Sequence, residues 1–528
     1  MNTLSQALPA ILIPGLLLLA ARASIRRHRL SLVGITISPA SAALLFSLSM
    51  VLCWLLATTS LLLVQSIKWP LVLDAPLMNY AAQQIRNGGV PYRDVFDMNM
   101  PGTYLIHLLA VVMGANTDLG WRIFDLAFLT FTCASIWLVC RKLSPAAGYV
   151  GALFFAVYHL SDGPINAGQR DYFLFGFLML AAALSVESAE AKNHNQRCAL
   201  AVAAGLCGGF AMWIKPTTLL YIAAILLLCW LPFSNENRIS RKSYLVGATL
   251  PSVAIVGWLA LCGGLGPFVT IMRQFVGPIY QHLVERSFVE SLVLRANVLI
   301  PCAVSLFLGF LFQKRELRER LLLAGCGWGF VHFVLQGKGF GYHLYPLAGF
   351  SCALVATWIR PDLLKAETSR QWARACGVIG FSLWLGCWSG RLNAALDHTK
   401  ILTSYVDSLT RDLRGRLPAG GRIQVLDTAT GGIDTLMRLK LTNATPYMYD
   451  FPFFYGGDSP YLKGIRNDFM HRMTQSPPNV IVLTRIGWPR GQYERLQAFP
   501  EFAAWLDANY RVDVEREQYR IYVRQSKS

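Results

Sequence analysis

The chain has 528 residues, of which 54% are hydrophobic and only 15% charged, with a formal net charge of +18 and a mean hydropathy of +0.41. A charged fraction so far below the roughly 25% usual in soluble domains excludes an ordinary soluble globular protein. It also excludes nucleic-acid binding as the first meaning of the positive charge. Apolar runs near the roughly 20 residues that cross a bilayer recur along the chain, which reads as a polytopic α-helical membrane protein. In such a protein Lys and Arg mark the cytoplasmic connections. All 12 cysteines lie between Cys53 and Cys387, in or next to apolar runs, and no pair has metal-ligand spacing. They read as small buried hydrophobes.

The first apolar run, around 8–21, has no basic region before it and is followed by Arg22, Arg26, Arg27 and Arg29. It reads as a short first span with its basic end in the cytoplasm. The expected spans are 6–22, 42–67, 118–140, 145–160, 171–187, 199–214, 216–232, 244–262, 292–312, 321–336, 342–359 and 374–390, roughly twelve in all. With that first cluster inside, every second connection should be basic. Those connections carry Arg141 and Lys142; Lys192 and Arg197; Arg238, Arg241 and Lys242; Lys314, Arg315, Arg318 and Arg320; and Arg360, Lys365, Arg370 and Arg374. All of them fall on one side, as the positive-inside rule requires.

The opposite side collects the long polar connections: 68–117, 160–171 (LSDGPINAGQRD), the Lys215-Pro216 joint, 263–291, 336–343 (QGKGFGYH) and everything after 390. The stretch 74–102, DAPLMNYAAQQIRNGGVPYRDVFDMNMPG, is the first long polar interruption and carries three aspartates. Residues 76–87 have a helical pattern closed by Gly88-Gly89. A second helix, 104–113, is too short to span, and 268–284 is a third amphipathic candidate. Such helices lie at a membrane interface. The membrane domain is expected over 1–390, and 391–528 forms a small soluble α/β domain. In it 422–426 and 480–483 read as buried strands, 499–509 as a helix, and 510–514 with 518–523 as a closing hairpin. DTATGG after the first strand is not a dinucleotide fingerprint.

Several polar groups on the outer side can do chemistry. Asp74 suits a helix N-cap, and the same position suits a base for an acceptor hydroxyl. Asp94 and Asp97, in YRDVFD, are turn residues that can hold Arg93 or a cation. There is no DxD for a nucleotide diphosphate and its metal. Gln169-Arg170-Asp171 opens a span, where an Arg must be paired or face water; it reads as an Arg170–Asp171 pair or an interfacial snorkel, or else as a phosphate contact. Lys215 reads as a short loop charge. Lys338, Tyr342 and His343 sit among three glycines that let backbone approach a ligand, a combination suited to phosphate, or to an ordinary interfacial hairpin.

This order of features resembles the GT-C superfamily of integral-membrane glycosyltransferases, and within it the bacterial branch related to protein O-mannosyltransferases (glycosyltransferase family 39-like) and to aminoarabinose transferases of lipid A. The stretch DAPLMNYAAQQIRNGGVPYRDVFDMNMPGTYLIH carries most of the likeness. The resemblance implies a sugar donor on a polyprenyl phosphate, inversion at the anomeric carbon, and catalysis on the outer face of the bacterial inner membrane, with the C-terminal domain periplasmic. The acceptor is a glycolipid, a cell-envelope glycan or a protein, and the enzyme is a monomer among membrane lipids with no nucleic-acid partner. Asp74 matches the loop aspartate that acts as base or positions the acceptor. Arg170 and Lys338 match donor-phosphate positions, accompanied by Tyr342 and His343. Tyr80, Arg93, Asp94, Asp97 and Asp171 position acceptor and donor. Ala75 replaces a second acid found in many relatives, and Asn99-Met100-Pro101 stands in a Lys-Pro-Pro region. A divalent cation, Mg or Mn, on Asp74, Asp94 and Asp97 is left open. The alternative is a transporter or flippase of a polyprenyl-linked glycan. It is disfavoured because there is no inverted repeat and the span interiors read as free of polar residues.

Overall fold

The structure is a computed structural model that describes residues 30–32, 35–37, 39–229, 239–312, 316–363, 368–418, 420–488 and 491–525. The expected first span, Arg22, Arg26, Arg27, Arg29, Arg238, Lys314, Arg315 and Lys365 lie outside the described residues. A short antiparallel pair, β1 (Leu30–Leu32) and β2 (Ile35–Ile37), precedes the helices. The apolar runs then form helices close to their expected places: α1 (Pro39–Ser66), α2 (Asp74–Arg86), α3 (Pro101–Val112), α4 (Asp118–Cys140), α5 (Pro145–Ser161), α6 (Arg170–Glu190), α7 (His194–Met212), α8 (Leu219–Leu228), α9 (Arg241–Leu261), α10 (Leu265–Ile271), α11 (Phe288–Leu294), α12 (Ala296–Phe312), α13 (Leu317–Gln336), α14 (Tyr345–Ala356), α15 (Ser369–Trp388) and α16 (Leu392–Leu413). Among the described residues four helices, in α1, α4, α6 and α9, are long and apolar enough to cross a membrane alone. The α11–α12 pair, bent by 90°, makes a fifth if counted as one span. Among the described residues the other apolar helices are shorter or less apolar, so the figure of twelve spans is not reached on length and composition.

The chain divides into two compact units. One comprises 1–68, 125–253 and 286–393; the other comprises 69–124, 254–285 and 394–528. The interfacial loop and the 254–285 segment therefore group with the C-terminal domain, a division that a linear boundary at 390 does not capture.

In the first unit, α6 and α13 are pinned at both ends. At one end Glu190 meets Lys142 at 2.6 Å and Arg318 at 2.5 Å, Glu187 meets Lys142 at 2.8 Å, and Glu319 bonds Arg360. Connections expected to share the basic side thus join in one ion-pair network. At the other end Asp171 meets Lys215 and His332. Twenty-one residues of helix separate Asp171's end of α6 from Glu190's, a rise of roughly 30 Å, the thickness of a hydrocarbon core. Exposed Phe46, Leu61, Val64, Phe307 and Phe310 give the unit an apolar outer surface.

Helices α7 and α9 approach closely through glycine. A Cβ on Gly205 would lie 2.1 Å from the Tyr244 carbonyl oxygen, and one on Gly209 2.2 Å from that of Ala248. Helices in lipid associate by such small-residue contacts, because burial of apolar surface supplies little driving force there.

In the second unit the C-terminal sheet has the order β3 (Ile423–Leu426), β4 (Val480–Thr484), β6 (Tyr519–Arg524), β5 (Tyr510–Glu515). The β3–β4 pair is parallel and the other two pairs are antiparallel. Helices α17 (Gly432–Leu439), α18 (Phe451–Phe454), α19 (Pro460–Gln475) and α20 (Pro500–Asn509) complete the domain. The DTATGG turn closes on itself: Asp427 accepts from the amides of Gly431 at 3.0 Å and Gly432 at 2.7 Å. The helix expected over 268–284 is broken into α10, a π turn at Met272–Val276 and a 3-10 turn at Tyr280–His282. Gly277-Pro278 breaks it, since proline removes a donor and restricts the residue before it.

Gly209→Ala should lower the melting temperature of the detergent-solubilised protein by an overpacking cost of about 1–3 kcal/mol. Gly257→Ala, where nothing lies within 4 Å of the new Cβ, should not lower it.

Candidate functional site

The predicted site residues fall in two groups, one in each unit. In the first unit the centre is Asp171, whose side chain has no exposed surface. Lys215 Nζ donates to both of its oxygens at 3.0 and 2.8 Å, and to Gln336 Oε1 at 3.3 Å. His332 Nε2 lies 2.6 Å from Asp171 Oδ1, and its Nδ1 lies 2.7 Å from Thr217 Oγ1. The Asp171 carboxylate thus meets Lys215 and His332, neither of which the sequence had paired with it.

Arg170 opens α6. Lys338 is buried in the glycine loop after α13, and burial lowers its pKa to about 7, helped by the nearby charges of Arg170 and Lys215. Tyr342 presents its ring to Lys215 Nζ, 6.0 Å from the centroid, and stacks edge-on against His343 at 4.6 Å. So Arg170, Lys338, Tyr342 and His343 do gather, and Lys215 and His332 join them. The loop needs its glycines: Gly337 and Gly339 both have positive φ, 63° and 61°. Arginines hold it. The Arg286 amide donates to the Gly337 carbonyl at 3.0 Å, and Arg295 Nε to that of Gly339 at 2.7 Å. Arg391, 4.2 Å over the Trp388 ring, and Arg295 both act on Asp162, which burial nonetheless pushes up to about 6. The result is a cluster in which several Lys and Arg side chains converge, a setting suited to an anion.

Sequence reasoning undervalued Lys215 and missed His332, Arg295 and Arg391. It also read the span interiors as free of polar groups, and the structure shows otherwise. Asp125 and His159 lie inside α4 and α5 and meet at 3.2 Å, and His159 also meets Tyr345 at 3.1 Å. The available signal was an ionisable residue inside an apolar run, which is a functional candidate by default.

In the second unit Asp74 is the first residue of α2, not its N-cap. Leu73 occupies the cap with φ 63°, and Asp74 stands in the first turn, where the helix dipole favours a carboxylate. Asp97 is fully buried and accepts from Tyr104 Oη at 2.5 Å, Asn99 Nδ2 at 2.9 Å and the Met98 amide at 2.6 Å. Tyr80 is buried and accepts from the Asn443 amide at 2.9 Å. Both are taken up in internal bonds that fix the loop. Arg93 and Asp94 form an exposed bidentate pair at 2.9 and 2.8 Å, and Arg93 holds the Asp94 carboxyl below the usual range. Among the described residues no three His, Cys, Asp or Glu side chains converge as a metal site. The three loop aspartates do not fit a divalent cation jointly.

A family model described as dolichyl-phosphate-mannose-protein mannosyltransferase matches residues 100–260. ArnT from Cupriavidus metallidurans, solved bound to undecaprenyl phosphate, superposes with a TM-score of 0.56 at 10% identity, over 92% of this chain and 99% of that one. Its apo form gives a TM-score of 0.56 at 12% identity, over 89% of this chain and 97% of that one. An oligosaccharyltransferase from Archaeoglobus fulgidus, tethered with an acceptor peptide, gives a TM-score of 0.49 at 12% identity, over 90% of this chain and 74% of that one. No curated protein matches the chain in sequence. The chain has the fold of the GT-C membrane glycosyltransferases. Within that class it resembles the branch of ArnT and the protein mannosyltransferases.

Asp171→Asn removes the carboxylate facing Lys215 and should destabilise the solubilised protein by on the order of 3 kcal/mol. Asp171→Asn with Lys215→Met should recover part of that loss, read as a coupling in a double-mutant thermal-melting cycle.

Proposed function

We propose that the chain is a glycosyltransferase that moves a sugar from a polyprenyl-phosphate donor to a glycolipid, cell-envelope glycan or protein. It works on the periplasmic face of a bacterial inner membrane, with the C-terminal domain on that face. The observation that carries this reading is the gathering of Arg170, Lys215 and Lys338 around the buried Asp171–His332 pair.

The chemistry suits those residues. The acceptor oxygen attacks the anomeric carbon from the face opposite the phosphate, and the anomeric C–O bond breaks with its electron pair leaving on a phosphate oxygen. The product is inverted. A phosphodiester with one negative charge becomes a monoester that gains a second, so charge develops where Arg170 and Lys338 stand. Fixed cations in a site of low dielectric stabilise that change more than they stabilise the bound donor. Tyr342 and His343 shape the same wall. The acceptor hydroxyl loses its proton to a carboxylate, and Asp74 is assigned that role. Arg93 and Asp94 position the acceptor, while Tyr80 and Asp97 act indirectly by fixing the loop.

Asp74→Asn should cut turnover by about 10²–10⁴-fold with donor KM little changed, measured with a polyprenyl-phosphate sugar in proteoliposomes; turnover within a few-fold of wild type would remove Asp74 as base. Lys338→Met should raise donor KM by about 10–100-fold, the worth of one charge-assisted hydrogen bond.

The pH dependence follows from the depressed pKa of Lys338. Its ammonium is present below about pH 7 and is lost above it, so donor KM should rise between pH 6 and pH 9. The rise should level off at about 10–100-fold in total, the worth of the ammonium contact, because the bound anion raises the Lys338 pKa by only that much. The Lys338→Met profile should be flat over that window.

A further inference from the structure

The unit formed by 69–124, 254–285 and 394–528 contains an open groove of about 580 Å³ that the donor chemistry does not use. That volume is in the range of ligand sites. Three segments wall it. Tyr92 and Phe96 come from the first polar loop, Gln274 from the π turn, and Tyr447, Tyr461, Asp468 and Arg472 from the C-terminal domain.

Two backbone irregularities line this groove. Tyr92 adopts φ 67°, a left-handed conformation that is costly for a bulky side chain. It is held by a bond from its Oη to the Asn99 carbonyl at 2.7 Å, and by ring contacts with Tyr104 and Phe268 at 5.5 and 5.1 Å. Gln274 sits in the Met272–Val276 π turn, a geometry that recurs at functional sites. Distortions of this kind persist where the surroundings enforce them, and they cluster at ligand clamps.

The chemistry of the lining selects a ligand. The charges balance: Arg93 pairs with Asp94, and Arg472 Nε donates to Asp468 at 2.7 Å. Asp468 also accepts from Tyr447 Oη at 2.8 Å. An anion would want surplus cations, and an acyl chain would not want two ion pairs. Fixed carboxylate and guanidinium groups beside the rings of Phe96 and Tyr447, 5.4 Å apart, instead offer hydrogen bonds to hydroxyls and flat faces to C–H groups. We propose that this groove binds an uncharged sugar chain, the glycan part of the acceptor. The proposal rests on the glycosyltransferase reading and adds to it the acceptor's chemical class.

Direct binding tests it apart from turnover. The full chain in lipid nanodiscs is examined by saturation-transfer NMR with free chitotetraose, maltotetraose and mannotetraose. Wild type should transfer saturation to ring protons of at least one of them. Tyr461→Ala, and independently the exposed Gln274→Ala, should each weaken that binding by about tenfold. Lys338→Met, which alters only the proposed donor site, should leave it unchanged. Loss of sugar transfer activity with this binding intact would sink the enzyme reading alone. The groove proposal is overturned if none of the three sugars binds, if Tyr461→Ala and Gln274→Ala both bind as wild type does, or if inorganic phosphate displaces the sugar. It is also overturned if the Tyr461-dependent signal comes from lipid acyl chains.

Discussion

The Asp171 carboxylate has no exposed surface, and a buried charge is tolerated only when its partners are in place. Its partners come from elsewhere in the chain: Lys215 from the joint after α7, and His332 from the last turns of α13. That requirement fixes how α6, α7 and α13 meet at one end. The Glu190 network with Lys142 and Arg318 fixes the other. Between the two clamps the helices are free to be apolar, over a length that matches a bilayer core. The same pairing decides where the glycine loop can lie, because Gln336, at the end of α13, shares Lys215 with Asp171.

Several cations gather around this carboxylate. Arg170, Lys215 and Lys338 stand near Asp171, Arg286 and Arg295 hold the adjoining loop, and Arg295 and Arg391 act on Asp162. Burial strengthens every one of these interactions, attractive and repulsive. The depressed pKa of Lys338 measures the repulsion together with the loss of solvent. Under the glycosyltransferase reading, such a cluster suits a step in which a phosphate gains charge.

The helices were legible because apolar periodicity and span length are written locally: α4 begins and ends where the sequence places it. The C-terminal strands were legible for the same reason, as short runs of β-branched residues bounded by turn signals. The pairing of Lys215 with Asp171 was not, since the partners are separated by 44 positions and no pattern in one sequence couples them. His332 was hidden by its apolar neighbours. Asp97 and Tyr80 looked ligand-facing because a polar residue in a polar loop is ordinarily exposed. Their burial depends on bonds to Asn99, Tyr104 and Asn443 that only the folded loop creates.

A phosphate leaving group and a sugar chain ask opposite things of a protein. The first gains charge during reaction and needs cations that are not already satisfied by carboxylates. The second stays neutral and needs donors and acceptors held in fixed positions, which charge pairs such as Arg472–Asp468 supply without attracting anions. A site built to hydrogen-bond hydroxyls also discriminates strongly, because a ligand lacking one leaves polar groups without partners. The two kinds of lining occur in different compact units of this chain. Under the glycosyltransferase reading, changes to the first polar loop, the π turn and the C-terminal domain alter acceptor choice, while the cationic cluster remains committed to a donor whose lipid and phosphate do not vary.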